Sequence, residues 1–367
     1  MNPFTVRYDS AHFCDRKKEL GKLRANTSNG LNTLIHSPRR LGKTALIYHL
    51  FHNLERSGKY ETLFVDLFAT TKMEDLIKVL SEKILEKYHK KNFFEGITNI
   101  LKGITTTLSI SQDGTPELGI RLTESNKVKT LNQLLNYLEN RKKKVVVAFD
   151  EFQEVVKYPE KAEAVLRTAI QPLSNIIFLF SGSTNHLLQE MFLSPKRPFY
   201  QSTEVLVLGK IDRKMYFNFI KTTFEKNSKY IEKEGVDYIL DFTECYTYYT
   251  QVIANQVYYQ TEEKMTEKDV RMIVSEYLES KKTDYQNLLN LLPENQKKLA
   301  ISVANEEVVG KPTSMEFIMK HKLPSISSVA QAIKALTEKE ILYKDTEGYS
   351  VYDLFFKRFL QRYYSHK

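Results

Sequence analysis

Between Phe13 and about Leu208, short runs of β-branched and aromatic residues alternate with longer amphipathic stretches. The runs at 31–35, 62–67, 145–149, 176–180 and 205–208 are short and apolar enough to predict strands buried on both faces of a parallel sheet. The stretches at 43–57, 73–90, 129–141 and 161–170 fall between them and predict helices. Strand and helix in alternation is the signature of an α/β fold with helices on both faces of the sheet. Residues 92–124 break the pattern. Gly96, Gly103, Gly114 and Gly119 lie there, and the segments 105–111 and 117–123 flank a Gln-Asp-Gly-Thr-Pro turn, which predicts an inserted hairpin behind a short helix.

After Gly209 the expected strands stop. The segments 214–225, 230–242, 247–260 and 267–281 read as four successive helices, a small all-α domain. From Pro293, helical segments at 294–305, 314–321 and 327–339 precede 341–344, a Gly348 turn and 349–352. Helix, helix, helix and hairpin in that order is a winged-helix pattern, closed by an amphipathic segment at 354–364. The aromatic run 352–359, with Tyr363 and Tyr364, reads as a core stripe against the wing. The expected domains are 1–209, 210–283 and 284–367.

Composition adds little to this picture. A 42% hydrophobic share and a 27% charged share are those of an ordinary globular chain. No apolar run approaches the roughly 18 residues of a membrane span, and residues 1–12 lack the layout of a secretory signal, so the cytoplasm is the expected location. Cys14 and Cys245 suggest neither a disulfide framework nor a metal site and are expected to be reduced. The net charge of +9 suits a polyanionic partner, but Lys and Arg are interleaved with Glu and Asp as they are on solvated helix faces.

The chemistry concentrates where the first strand meets the first long helix. Ser37, Pro38, Arg39, Arg40, Leu41, Gly42, Lys43 and Thr44 follow the strand, and the helix begins at once with Ala45. Strand, loop, Gly-Lys-Thr and helix is the context of a P-loop, in which backbone N–H groups and the positive end of the helix converge on phosphates. Lys43 is expected to reach the β- and γ-phosphates, and the Thr44 hydroxyl to coordinate Mg²⁺. Gly42 permits a close backbone approach. Ser37 occupies the first glycine position of the consensus, where it can turn out of the strand if φ is negative. The run 145–149 ends in Asp150 and Glu151, the layout of a Walker B segment: Asp150 for the Mg²⁺ shell, Glu151 to orient or deprotonate water. After 176–180 come Ser181, Gly182 and Ser183. Ser183 or Ser181 is a candidate to sense the γ-phosphate, or these residues simply form a turn.

At these residues the chain resembles the AAA+ ATPases often called the archaeal-type ATPase family, related to the STAND NTPases. Phe13-Cys14-Asp15-Arg16 with Glu19-Leu20, the Ser-Pro-Arg-Arg-Leu-Gly-Lys-Thr loop, Phe-Asp-Glu-Phe-Gln, and Phe-Ser-Gly-Ser with His186-Leu187-Leu188 carry the likeness. Met191-Phe192 and Arg197-Pro198-Phe199-Tyr200 extend it. The resemblance implies ATP and Mg²⁺ held between the α/β domain and a helical lid, with Phe13 to Arg16 close to the base. It also implies that Arg39 or Arg40 touches phosphate or a neighbouring domain. The Gly-x-Pro usual in the family's lid is missing: the corresponding stretch is Glu244-Cys245-Tyr246-Thr247-Tyr248-Tyr249. Arg197, beside Lys196, stands where oligomeric AAA+ enzymes carry an arginine finger, or is a surface residue capping a loop.

In the winged helix, Ser325, Ser327, Ser328, Gln331, Lys334 and Lys339 form the exposed face of the third helix, for DNA or for packing only. The expected function is ATP hydrolysis with Mg²⁺, coupling lid and winged-helix movement to a DNA or protein partner. The alternatives are a nucleotide-dependent switch with negligible turnover and a DNA-binding regulator.

Overall fold

The computed structural model describes residues 2–88, 105–110, 116–121, 124–183, 185–345 and 347–365. They form two compact units, Thr5–Asp212 and Arg213–Lys367, the latter joined by Met1–Phe4.

In the first unit five strands make one parallel sheet: β1 (Thr33–His36), β2 (Tyr60–Asp66), β5 (Lys144–Asp150), β6 (Ile176–Gly182) and β7 (Glu204–Val207). Their order is β2-β5-β6-β1-β7. β3 (Thr105–Ile110) and β4 (Pro116–Arg121) form a separate antiparallel hairpin at the expected insertion. The short helix expected before it lies outside the described residues. The helices are α1 (Lys17–Ser28), α2 (Lys43–Arg56), α3 (Met73–Lys87), α4 (Glu124–Glu139), α5 (Ala162–Ile170) and α6 (Asn185–Leu193).

The chain runs from β1 outward to β2 and then back through β5 and β6. With right-handed crossovers, this reversal puts helices on both faces. Along β5, Val145, Val147 and Phe149 join one cluster with Leu76 and Leu80 of α3, Leu131 and Leu135 of α4 and Leu166 of α5. Val146 and Ala148 are buried too, on the opposite face, as alternation requires.

The second unit starts with α7 (Arg213–Lys226), α8 (Lys233–Thr243), α9 (Thr247–Gln260), α10 (Glu267–Ser280) and α11 (Lys282–Asn290). This region is not purely helical as expected. Two-residue strands β8 (Tyr230–Ile231) and β9 (Lys264–Met265) pair in parallel, bringing the start of α8 beside the start of α10. The winged helix follows: α12 (Glu294–Asn305), α13 (Met315–Lys320), α14 (Ile326–Glu338), β10 (Leu342–Lys344), β11 (Tyr349–Val351) and α15 (Leu354–Tyr364). Gly348, at φ 152°, sits so close to Val309 that a Cβ would lie 2.6 Å from its carbonyl oxygen, so only glycine fits there.

The boundary expected at 283–284 falls inside this unit, because α15 is built into both halves. Phe356 and Phe359 are core residues of the winged helix, whereas Phe355 packs on Tyr249, Tyr277 and Phe242 of the preceding helices. Lys357 Nζ and Arg358 reach Glu244 at 3.0 and 3.2 Å, and Arg358 Nε also donates to the Phe242 carbonyl at the end of α8. Cations at a helix C-terminus complement its dipole.

Candidate functional site

Strand register assembles the site. Phe149 lies level with Phe180, and His36 with Gly182, so β1, β5 and β6 end side by side. The residues that follow each strand, Ser37, Glu151 and Ser183, therefore gather at one edge of the sheet, the usual place for a ligand in such folds.

The loop after β1 turns through Arg40 at φ 70° and Gly42 at φ 88°. Ser37 is not among the residues with positive φ, which explains how serine replaces the first glycine of the consensus. Ser37 is fully buried, and its hydroxyl donates to the Pro38 carbonyl at 2.9 Å. Leu41 is buried beneath the loop. Helix α2 starts at Lys43, so the first-turn N–H groups of Lys43, Thr44 and Ala45 have no carbonyl above them within the helix.

Lys43 is buried and folds back along the loop. Its Nζ donates to the Ser37 carbonyl at 3.0 Å and the Pro38 carbonyl at 3.2 Å. Burial pulls its ammonium down to about 8, although Glu151 and Asp150 pull the other way. Thr44 Oγ1 donates to Asp150 Oδ2 at 2.9 Å; Asp150 Oδ1 accepts from Ser181 Oγ at 2.5 Å and from the Glu151 N–H at 3.1 Å. Burial raises the Asp150 carboxyl above its ordinary range. Glu151 adopts left-handed backbone, φ 53°, and opens a 3-10 turn, Phe152–Lys157. Ser183 Oγ donates to Glu151 Oε2 at 2.9 Å and accepts from Arg39 Nε at 2.9 Å.

Thr44, Asp150, Glu151, Ser181, Ser183 and Arg39 thus meet in one hydrogen-bonded network, and the Lys43 ammonium lies near enough to feel the Asp150 and Glu151 charges. Two further residues expected at the site stand outside this network. Arg16 is buried, donating to the Leu41 carbonyl at 3.0 Å and to Glu19 at 2.9 Å, so it braces the loop from behind. Arg197 donates to Glu163 at 2.9 Å and to Glu190 at 2.5 Å. Phe13 stacks on His49 of α2 with ring centroids 4.0 Å apart, and burial pushes the Cys14 thiol up to about 12. Gln153, the last residue of Phe-Asp-Glu-Phe-Gln, is an addition to the expected set: its Nε2 donates to Glu151 Oε2.

The arrangement holds oxygen donors for a hard cation. Thr44 and Asp150 supply two oxygens, and magnesium is usually held by few protein ligands together with phosphate and water. Among the described residues no cluster of three or more His, Cys, Asp or Glu could hold a metal ion by itself.

The family model described as an ATPase domain predominantly from Archaea matches residues 13–251. The chain belongs to this family. A second model, described as a probable winged helix domain, matches residues 283–362. An uncharacterized ATP-binding protein of Methanocaldococcus jannaschii is 27% identical over 161 residues, covering 40% of this chain and 44% of its own length. The chain thus spans less than half of that relative. The Walker-type ATPase of Pyrococcus abyssi superposes with a TM-score of 0.66 at 18% identity, over 98% of this chain and 99% of its own. The Aeropyrum pernix ORC2 protein, solved as ADPNP-ADP complexes, gives 0.61 at 13% identity, over 98% of each chain. At these identities the two structures establish the shared fold. The protein is an archaeal-type ATPase-domain chain with a C-terminal winged helix. No helix among the described residues is long and apolar enough to cross a membrane.

Proposed function

We propose that this protein hydrolyses ATP with Mg²⁺ at the edge of the sheet where β1, β5 and β6 end. The observation that carries this reading is the state of Glu151. Its Oε2 accepts from Ser183, while among the described residues no hydrogen bond reaches Oε1. A carboxylate held by one oxygen, with the other free, suits a group that takes a proton from water.

The roles follow from the contacts. The Ser37 to Ala45 backbone and the start of α2 cradle the phosphates. Lys43 exchanges the two loop carbonyls for phosphate oxygens, which are stronger acceptors for an ammonium. Thr44 and Asp150 hold the metal shell; Mg²⁺, when bound, neutralises charge on the transferred phosphoryl group. Arg39 and Ser183 connect the loop to Glu151, so the phosphate site and the water site share one hydrogen-bonded chain. The water oxygen bonds to the γ-phosphorus, the bond to the bridging oxygen breaks, and the water proton passes to Glu151.

Arg197, paired with Glu163 and Glu190 of its own chain, is better suited to tether the segment after α6 than to act as a finger in a neighbour. Coupling to a macromolecular partner belongs to the second unit. The Aeropyrum pernix ORC1 protein, solved in complex with DNA, shares the fold at a TM-score of 0.53. In this chain Lys334 lies 4.0 Å from Glu338 and Lys339 donates to Gln296, and basic and acidic residues nearly balance over 213–367. That surface lacks the basic excess of a phosphate-backbone binder, so we favour a protein partner.

The test is phosphate release and Mg²⁺-dependent ATP binding in wild type, Lys43→Ala and Glu151→Gln. Turnover in wild type, binding without turnover in Glu151→Gln and neither in Lys43→Ala supports hydrolysis. Binding with no turnover in wild type makes the chain a nucleotide switch and refutes it.

A further inference from the structure

Gln153 lies two residues beyond Glu151 and is 1% exposed. The left-handed backbone at Glu151 and the 3-10 turn after it bring the two side chains together, and Gln153 Nε2 donates to Glu151 Oε2. Ser183 Oγ donates to the same oxygen. Two donors on one oxygen fix the plane of the carboxylate and direct its other oxygen.

The far side of the amide is unusual. Gln153 Oε1 is buried and has no hydrogen-bond partner. Flipping the amide would set that oxygen against the Glu151 carboxylate, so the carboxylate determines which way the amide faces. An orphaned acceptor in a protein interior asks for an explanation, and here it lies in what the other end of the amide holds. Gly182 accommodates this arrangement. A Cβ at position 182 would lie 1.9 Å from Gln153 Oε1 and 3.1 Å from its Cδ, and 2.9 Å from the Leu188 Cδ1 methyl. The end of β6 is glycine because the amide, with the Leu188 methyl beside it, occupies the space of its side chain.

We propose that Gln153 is a positioning residue for ATP hydrolysis, a role that rests on the function proposed above. It pins Glu151 through Oε2 so that Oε1 faces the water, and Gly182 provides its seat. The contribution is to orientation and leaves phosphate binding to the P-loop.

The experiment measures steady-state phosphate release and Mg²⁺-dependent binding of a fluorescent ATP analogue. The proteins are wild type, Glu151→Gln, Gln153→Leu, Gln153→Ala, Gly182→Ala and the Gln153→Ala/Gly182→Ala double variant. Gln153→Leu and Gly182→Ala are each expected to lower kcat by about tenfold to a hundredfold, with analogue Kd within about twofold of wild type. The double variant is expected to fall little further than Gln153→Ala, because alanine at 153 removes the 1.9 Å contact and leaves only the Leu188 methyl, the end of a side chain that can turn aside. Unchanged kcat in Gln153→Leu, where wild type turns over and Glu151→Gln is silent, overturns the inference and leaves hydrolysis standing. So does a parallel loss of kcat and affinity, which marks general disruption. Should Gly182→Ala fail to fold, Gln153→Leu decides alone. A wild type without turnover overturns the hydrolysis reading, and this inference with it.

Discussion

Replacing Lys43 with methionine should make the nucleotide-free protein more stable while destroying its affinity for ATP. The ammonium is buried against two backbone carbonyls, and its titration falls from 10.5 to about 8. Holding it charged at pH 7 therefore costs about 3 kcal/mol, at about 1.4 kcal/mol per pH unit. Methionine keeps the stem and removes the charge, but it leaves the Ser37 carbonyl short of a donor, a loss of about 1 kcal/mol, while the Pro38 carbonyl keeps the Ser37 hydroxyl. The net gain is about 2 kcal/mol, or a Tm about 6 °C higher for a unit of this size. Because the folded-state value lies below the unfolded one, the unfolded chain binds more protons between about pH 8 and 10.5. The penalty is complete below about pH 8 and disappears as the pH rises to 10.5. Thermal melts without nucleotide should thus show the variant above wild type at pH 7 and the advantage lost by about pH 10. Excess Mg²⁺-ATP should reverse the order at pH 7, since only wild type gains the stability that ligand binding confers, about 2.7 kcal/mol at a hundredfold excess over Kd. A variant less stable than wild type at pH 7, or a gap that ignores pH, refutes the reasoning.

Asp150→Asn should remove the effect of Mg²⁺ on ATP affinity, so that titrations with the metal and with a chelator converge; a retained difference places the metal on other groups. Glu244→Gln should destabilise the second unit by about 3 kcal/mol in denaturant titrations, because it leaves the buried Lys357 ammonium without its counter-charge. Adding Lys357→Met should recover part of that loss, and further destabilisation would contradict the pairing. Arg197→Ala should cost about 1 kcal/mol at pH 8 and less near pH 5. The Glu163 carboxyl is raised by burial, and without the guanidinium only its charged form is penalised, so the cost appears as pH rises above its folded value. Melts at the two pH values check this, and equal losses would refute it.

β5 and β6 are legible because each is apolar over nearly its whole length, as double-sided burial requires, whereas the expectation of two-sided burial fails at the edge strand β7, where Glu204 and Val207 are exposed. Helix α1 is not legible, since Leu20 and Leu23 are its only buried apolar residues and leave no periodic stripe. Helix α11 buries Leu289 alone, and β8 and β9 are two residues each, too short for any pattern. The site divides in the same way. Lys43, Thr44, Asp150 and Glu151 are readable because backbone-local motifs fix them at strand ends. Arg16 and Arg197 carry charges whose partners, the Leu41 carbonyl and the Glu163 and Glu190 carboxylates, are chosen by tertiary packing. Gln153 lies within a recognisable motif, yet its contact depends on the space at Gly182 in another strand, which no reading along the chain reveals.

The turn between α8 and α9 takes the same logic into the second unit. In the stretch where the resemblance leads one to expect a Gly-x-Pro, Glu244 and Cys245 follow one another at φ 49° and 57°. Left-handed backbone costs a non-glycine residue about 1–2 kcal/mol, so two in a row persist only if their surroundings hold them. The surroundings here are α15. Lys357 and Arg358 bind the Glu244 carboxylate, Arg358 also binds the Phe242 carbonyl, and the Tyr249 hydroxyl accepts from the Leu354 N–H at 2.8 Å. A glycine would make this turn without help and leave the last helix independent of it. With glutamate, the turn and α15 stabilise each other, and α15 is at the same time a core element of the winged helix. Any rearrangement of α8 and α9 must then carry the winged helix with it, or break a buried ion pair to leave it behind.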